Sequence, residues 1–382
     1  MSASPTQHDV AAMRQALRAA RPARGRTFPN PPVGAVVYRG AKILARGCTR
    51  PVGGAHAEVM ALDRAQQRHG ARALRGASLA VTLEPCSFEG RTPPCVDRVL
   101  ESGVGRVVVG HRDPHPRVDG RGTRQLRRRG LEVVEGVLED ACREQHRGFL
   151  SVVERGRPFV VVKLAATLDG RIATASGESQ WITGEPARAK GHALRARSDA
   201  VLVGVETALA DDPELTARRA GRVVHRPVRV VADTRLRLSP DARLVRSEPA
   251  SAWVLCGTGP AASRRRALEA AGARVLEVAR GRGRGRTSLD LGAGLKRLAR
   301  EGITEILVEG GGGIAASLLR GGWVDELHWF AAPALLGSDG RPALGPLGLS
   351  RLADAPRLEV TRVRRVGDDL HWVARPAVGA SR

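Results

Sequence analysis

Apolar positions along this chain switch repeatedly between a helical period and short continuous runs. Residues 9–21 carry helical spacing, followed by apolar runs at 33–38 and 43–47. Helical periodicity returns over 56–69 through Val59, Leu62 and Ala65. Strand-like runs follow at 78–83 and 106–110, with a helix at 95–102 between them. A helix near 120–129, a strand at 131–134 and a helix at 137–150 complete the series. Helices interleaved with short buried strands predict an α/β sandwich with a mostly parallel sheet. The polar, turn-rich stretch Glu154-Arg-Gly-Arg-Pro158 then breaks the pattern. A second alternating series starts with a strand at Phe159–Leu164. Further strands are expected at 199–203, 228–232, 252–256, 274–278, 305–308, 325–331 and near the C-terminus. No repeat links the halves, so the reading is two different α/β domains, 1–153 and 154–382.

Composition agrees with two cores. A chain of 382 residues exceeds one typical core, and its 42% hydrophobic content can fill two. With 3% aromatics, those cores should be Val, Leu, Ile and Ala. No apolar run approaches the ~20 residues of a membrane span, and the N-terminal segment lacks the apolar stretch of a signal peptide. Five unevenly spaced cysteines argue against a disulfide framework and for a reducing compartment, so a cytoplasmic protein is expected. The net charge of +23 suits nucleic acid at first sight. Only four of 62 basic residues are Lys, however, and the Arg spread along the whole chain. We therefore expect no nucleic-acid partner, and read the densest run, Arg280–Arg286, as a solvated loop. A phosphorylated small molecule remains compatible with this charge.

Three pieces of the first half carry chemistry: His56-Ala-Glu58, Glu84-Pro-Cys86 and Cys95. One imidazole and two thiolates make a three-ligand zinc set that leaves a fourth position open for water, whose pKa zinc lowers towards ~7. Glu58 need not bind metal and can carry protons from that water to a departing amine. The H-x-E…P-C…C order is the zinc nucleobase-deaminase signature. The competing reading, a closed structural site, needs a fourth ligand, for which Cys48 is the candidate. In the second half, Glu309-Gly-Gly-Gly-Gly-Ile-Ala-Ala-Ser reads as strand end, glycine loop and helix start, a place for a pyrophosphate. It lacks the G-x-G-x-x-G fingerprint, so no Rossmann domain is expected. Arg195 and Arg218 can make bidentate contacts to a phosphate. Lys163 and Asp169 read equally as strand-end charges, and Trp181 as a core residue.

The segment Thr82-Leu-Glu-Pro-Cys-Ser-Phe-Glu-Gly-Arg-Thr-Pro-Pro-Cys95 separates its thiols by eight residues rather than the usual two. It resembles the bifunctional pyrimidine deaminase/reductase family of riboflavin biosynthesis. Pro29–Gly34, Gly120-Arg-Gly122, Lys163–Arg171, Ser176–Thr183, Val203–Thr216, Val308–Gly312 and Ala332–Gly337 continue the likeness in order along nearly the whole chain. The resemblance implies a cytidine-deaminase-like α/β/α sandwich followed by a dihydrofolate-reductase-like α/β domain. It implies zinc-dependent hydrolysis of the 2-amino group of a diaminopyrimidinone with a phosphoribosylamino arm. NADPH reduction of the ribosyl group to ribityl would follow, in a homo-oligomer.

By motif, His56, Cys86 and Cys95 would hold Zn2+, Glu58 would move protons, and Asn30 and Arg91 would contact substrate. Ser179, Arg195, Leu215, Arg218 and Glu309 fall on substrate positions of the reductase. Ala165, Trp181, Thr207, Asp211 and Thr234 fall on NADPH positions, with Gly311, Gly312, Gly313, Ile314, Ala315, Ala316 and Ser317.

Departures cluster around the first site. Thr49 and Phe88 stand where the family commonly has His, Gly54-Ala55 replace an acidic-Pro pair, and His115 replaces an Asn. Three readings share these motifs: a working enzyme with both activities, a relative deaminating a different aminopyrimidine or pterin-like heterocycle, and an enzyme with a weakened deaminase. An RNA-editing deaminase would use the positive charge, but the thiol spacing and reductase half stand against it.

Overall fold

The computed structural model describes residues 4–90, 92–247, 251–281 and 288–377. It divides into two compact units, Met1–Gly156 and Arg157–Arg382.

In the first unit, α1 (Gln7–Ala20) starts at a capping box between Thr6 and Asp9. The strands are β1 (Gly34–Arg39), β2 (Lys42–Cys48), β3 (Ser78–Leu83), β4 (Arg106–His111) and β5 (Glu132–Val134). Between and after them run α2 (Ala57–His69), α3 (Cys95–Glu101), α4 (Arg121–Arg128), α5 (Glu139–Gln145) and α6 (Arg147–Arg155). The order is β2-β1-β3-β4-β5. The sheet is mixed rather than mostly parallel: β1 runs antiparallel to β2 and β3, while β3–β4 and β4–β5 are parallel. Two residues separate β1 from β2, room for a hairpin but not a crossover. Leu62, Leu79, Val96 and Leu126 pack one face, and Met13, Val36, Tyr38 and Val108 the other. Where the sequence suggests one helix over 137–150, two helices meet at His146.

In the second unit the elements begin with β6 (Phe159–Thr167), β7 (Arg171–Ala173), α7 (Glu185–Arg195), β8 (Ala200–Gly204) and α8 (Val205–Asp211). There follow β9 (Ala217–Arg219), β10 (Arg222–His225), β11 (Val228–Ala232), α9 (Arg243–Arg246) and β12 (Ala252–Gly257). Next come α10 (Ala262–Ala270), β13 (Arg274–Val278), α11 (Leu291–Arg300), β14 (Glu305–Glu309) and α12 (Gly312–Arg320). The unit closes with β15 (Glu326–Ala332), β16 (Arg341–Pro342), β17 (Leu358–Val366) and β18 (Asp369–Pro376). One nine-stranded sheet has the order β13-β12-β11-β8-β14-β6-β15-β18-β17, antiparallel only at its last two pairings. The parallel strands are continuous apolar runs, as burial on both faces requires. Of the basic run 280–286, residues 282–286 lie outside the described residues. Among the described residues no helix is long and apolar enough to cross a membrane.

Candidate active sites

Two helix starts and one strand end converge in the first unit. His56 caps α2 with no side-chain bond to the helix, and Cys95 is the first residue of α3. Cys86 follows β3 by three residues. Orphan N–H groups and dipoles at helix starts favour thiolates. Gly122 lets α4 sit directly on this strand end, since a Cβ there would meet the Pro85 carbonyl oxygen at 2.1 Å. Glu84 fastens the same loop: its carboxylate accepts backbone N–H bonds from Asp113 (3.3 Å), Gly120 (2.9 Å) and Thr123 (3.2 Å).

His56 Nδ1 lies 3.1 Å from Cys95 Sγ and 3.7 Å from Cys86 Sγ. All three ligand atoms fall within 4.8 Å of one another. Tetrahedral zinc with ordinary bond lengths separates such N and S ligands by about 3.6 Å. The set therefore fits zinc. Thr92 Oγ1, 3.5 Å from His56 Nε2, orients the far side of the ring. The Cys95 N–H donates to Cys86 Sγ at 3.4 Å, and hydrogen bonding from the Cys95 thiol, more than this N–H, holds the Cys86 thiol well below its ordinary value. Among the described residues the cluster has three members; Cys48, at the end of β2 opposite Gly34, is not one of them. That leaves the open-site chemistry. Glu58 lies in the first turn of α2, and burial, with the Cys86 charge adding, pushes its carboxyl up to about 7.

The surrounding positions are filled differently from the pattern. Thr49 is buried, its hydroxyl accepting the Val33 N–H at 3.1 Å, so it ties the 30–33 loop to β2. Asn30 is half-buried in the same loop, its N–H bonded to Thr27 O at 2.9 Å. Phe88 stacks with His115 and carries the Arg117 guanidinium 3.9 Å above its ring. Arg91 lies outside the described residues.

The second site gathers at the C-terminal ends of β6, β8 and β14, where open parallel sheets receive ligands. Glu309 ends β14 directly opposite Lys163 of β6. Arg195, from α7, grips Glu309 with two bonds of 2.8 and 2.7 Å and donates to Thr216 O at 3.0 Å. Its fork is thereby committed to Glu309, because a buried guanidinium requires a paired anion, and it is not an open phosphate clamp. Burial works against the Glu309 anion, yet Arg195 and Lys163 hold its carboxyl below the usual range. Burial likewise pulls Lys163 down. Arg195, Leu215 and Arg218 line one cleft of about 280 Å³ with His192, Thr216 and Arg243. Arg218 is exposed and bonds Glu214 at 2.5 Å.

Next to Glu309, Gly310 and Gly311 both take φ +82°, and α12 starts without a side-chain cap. A Cβ on Gly312 would meet the Ala343 carbonyl oxygen at 2.9 Å, and one on Gly313 nothing within 4 Å. Uncapped amides beside open backbone fit a dinucleotide pyrophosphate. Thr207 of α8 stands against this loop, 3.0 Å from where a Gly310 Cβ would be, and Ile314 packs on Gly204. Ala315 and Ala316 are buried, while Ser317 is half-buried farther along the helix. Ala165 lies on β6 opposite Phe330. Asp211 is exposed at the end of α8, and Thr234 follows β11, its carbonyl accepting from Gly257 at 3.1 Å. Ser179 and Trp181 sit in the exposed segment before α7. Trp181 is 69% exposed beneath the Arg188 guanidinium, so the core reading of it is wrong. Sequence reasoning passed over His192 and Arg117, which no motif marks.

These two sites define a chain with a zinc deaminase half and a nucleotide-dependent reductase half. Residues 6–111 match the cytidine and deoxycytidylate deaminase zinc-binding region, and 158–372 match the RibD C-terminal domain. The riboflavin biosynthesis protein RibD of Escherichia coli is 39% identical over 94% of this chain and 98% of its own. That of Bacillus amyloliquefaciens is 38% identical over 96% of each. The solved structure of Acinetobacter baumannii RibD superposes with a TM-score of 0.84 at 33% identity, covering 97% of this chain and 99% of that one. The chain belongs to the RibD family of bifunctional riboflavin-biosynthesis enzymes. Its activities are a zinc-dependent deamination and an NADPH-dependent reduction.

Proposed function

We propose that this enzyme deaminates 2,5-diamino-6-(5-phosphoribosylamino)pyrimidin-4-one and then reduces the ribosyl group of the product to ribityl. The observation carrying the deaminase half is the three-ligand His56–Cys86–Cys95 cluster with Glu58 buried beside it. Bound zinc supplies the Lewis acidity that makes water nucleophilic near neutral pH. Glu58, whose buried carboxyl is pushed up from its ordinary value, would carry the proton to the ring nitrogen and then to the departing amine. Asn30 and Arg91 are assigned to substrate by motif.

In the reductase half, NADPH carries the hydride. Its pyrophosphate is assigned to the Gly311–Ser317 segment, with Ala165, Trp181, Thr207, Asp211 and Thr234 along the cofactor. Ser179, Arg195, Leu215, Arg218 and Glu309 are assigned to the sugar-phosphate substrate, Arg195 acting by holding Glu309 in place. Thr49, Phe88 and His115 motivate the alternative of another heterocyclic substrate, but nothing in the fold or the relatives favours it. Supplying the diamino compound and its deaminated product separately tests the assignment. NADPH should be oxidised with either, and ammonia released only from the first.

We further infer a cytoplasmic homo-oligomer. The edge strand β17 is exposed over most of its length, and Val360, Val363, Leu370 and Trp372 of the β17–β18 pair are all more than a third exposed. Sedimentation of Val363→Glu should give a smaller species than the parent chain; equal sizes would remove this support.

A further inference from the structure

Several arginines of the first unit are paired with carboxylates. Arg98 pairs with Asp63, Arg106 with Asp9, Arg112 with Asp119 and Arg127 with Glu135. Among the described residues Arg117 has no carboxylate partner, yet it is held at three points. Its guanidinium lies 3.9 Å from the centre of the Phe88 ring. One Nη2 donor reaches Glu89 O at 3.2 Å, and its backbone N–H donates to His115 Nδ1 at 3.3 Å. His115 in turn donates its N–H to Asp113 Oδ1 at 2.8 Å and stacks with Phe88, centroids 6.1 Å apart. Burial, and then the Arg117 charge, hold the His115 ring below its ordinary pKa, so it adds no second positive charge.

The platform belongs to the metal loop itself. Phe88 comes two residues after Cys86, in the loop whose Thr92 touches His56. The partner loop, 113–120, is pinned to the same strand end by Glu84. A planar cation on an aromatic face keeps its edge N–H groups free, and only one of them is used here. Ordering an exposed, unneutralised guanidinium costs side-chain entropy, which a binding role recovers when an anion arrives.

We propose that Arg117, seated on Phe88, is a specificity-determining residue of the deamination that receives the phosphate of the substrate's phosphoribosylamino arm. Phe88 is the positioning residue that aims it. Placing Phe where the family pattern has His thus exchanges one polar contact for a platform under a cation. This rests on the substrate proposed above.

The test uses the full-length, zinc-loaded enzyme and two compounds, the diaminopyrimidinone phosphoriboside and its dephosphorylated riboside. Arg117→Ala should raise KM for ammonia release from the phosphorylated compound about tenfold, with kcat within twofold. KM for the riboside should not move. Arg117→Lys should recover part of the loss, because it restores charge without the planar fork. Phe88→Leu should give a smaller shift of the same kind. If Arg117→Ala changes both compounds equally, or neither, the proposal is overturned while the substrate assignment stands. If the parent enzyme releases ammonia from neither compound, the substrate assignment itself fails, and this inference with it.

Discussion

At the scale of single residues, both sites depend on charged groups taken out of water with their partners. Glu58→Gln keeps the size and removes the proton carrier. Ammonia release should fall by about 10²–10⁴-fold, with zinc content unchanged by metal analysis. Retained turnover would remove Glu58 from its role. Glu309→Gln leaves Arg195 buried without its anion, the costly way to break such a pair. Stability of the reductase unit should drop by about 3–5 kcal/mol, read by urea denaturation. That His56, Cys86 and Cys95 come together was legible because metal chemistry restricts both residue type and order. The Arg195–Glu309 pairing was not, since nothing in sequence joins positions 114 apart. Arg117 looked like any other arginine until Phe88 was placed beneath it.

At the scale of elements, close backbone approach and buried imidazoles decide how firmly the deaminase unit is set. Gly122→Ala drives a Cβ into the Pro85 carbonyl, backbone against backbone. α4 must lift from the metal loop, at a cost of about 1–3 kcal/mol, and the unit's melting temperature should fall. Where β4 and α6 meet, His111 and His146 are buried with their rings 5.3 Å apart, and His146 Nε2 is 3.0 Å from Thr82 Oγ1. Among the described residues His111 Nε2 and His146 Nδ1 have no hydrogen-bond partner. Burial lowers both pKa values, that of His111 to about 4. The unfolded chain takes up these protons near pH 6.5, while the folded chain resists. Stability present above pH 6.5 is therefore lost as pH falls towards 4, by up to about 3 kcal/mol for His111, with His146 acting in the same direction. His146→Asn should flatten that acid limb in urea titrations at pH 5 and 7.5; an unchanged slope would clear His146 of it. Most strands and helices were readable from period and apolar runs. The antiparallel placement of β1 was not, because strand direction follows from connections rather than from side chains.

At the scale of the whole molecule, two units with separate cores carry two chemistries. Chelating the metal should abolish ammonia release and leave NADPH oxidation with the deaminated compound intact. A chain ending at Gly156 should still release ammonia and consume no NADPH. Loss of both activities would mean the halves depend on each other. The likeness along nearly the whole chain was legible in ordered motifs, whereas the net charge of +23 singled out no ligand, since the arginines spread along the whole chain.

Ammonia release and NADPH oxidation, followed together with the zinc-loaded enzyme on the diaminopyrimidinone phosphoriboside, test the central claim most directly. The two-step account predicts that ammonia appears first and that NADPH is then consumed in equal amount. NADPH oxidation without ammonia, or oxidation only when the deaminated compound is supplied, would contradict it.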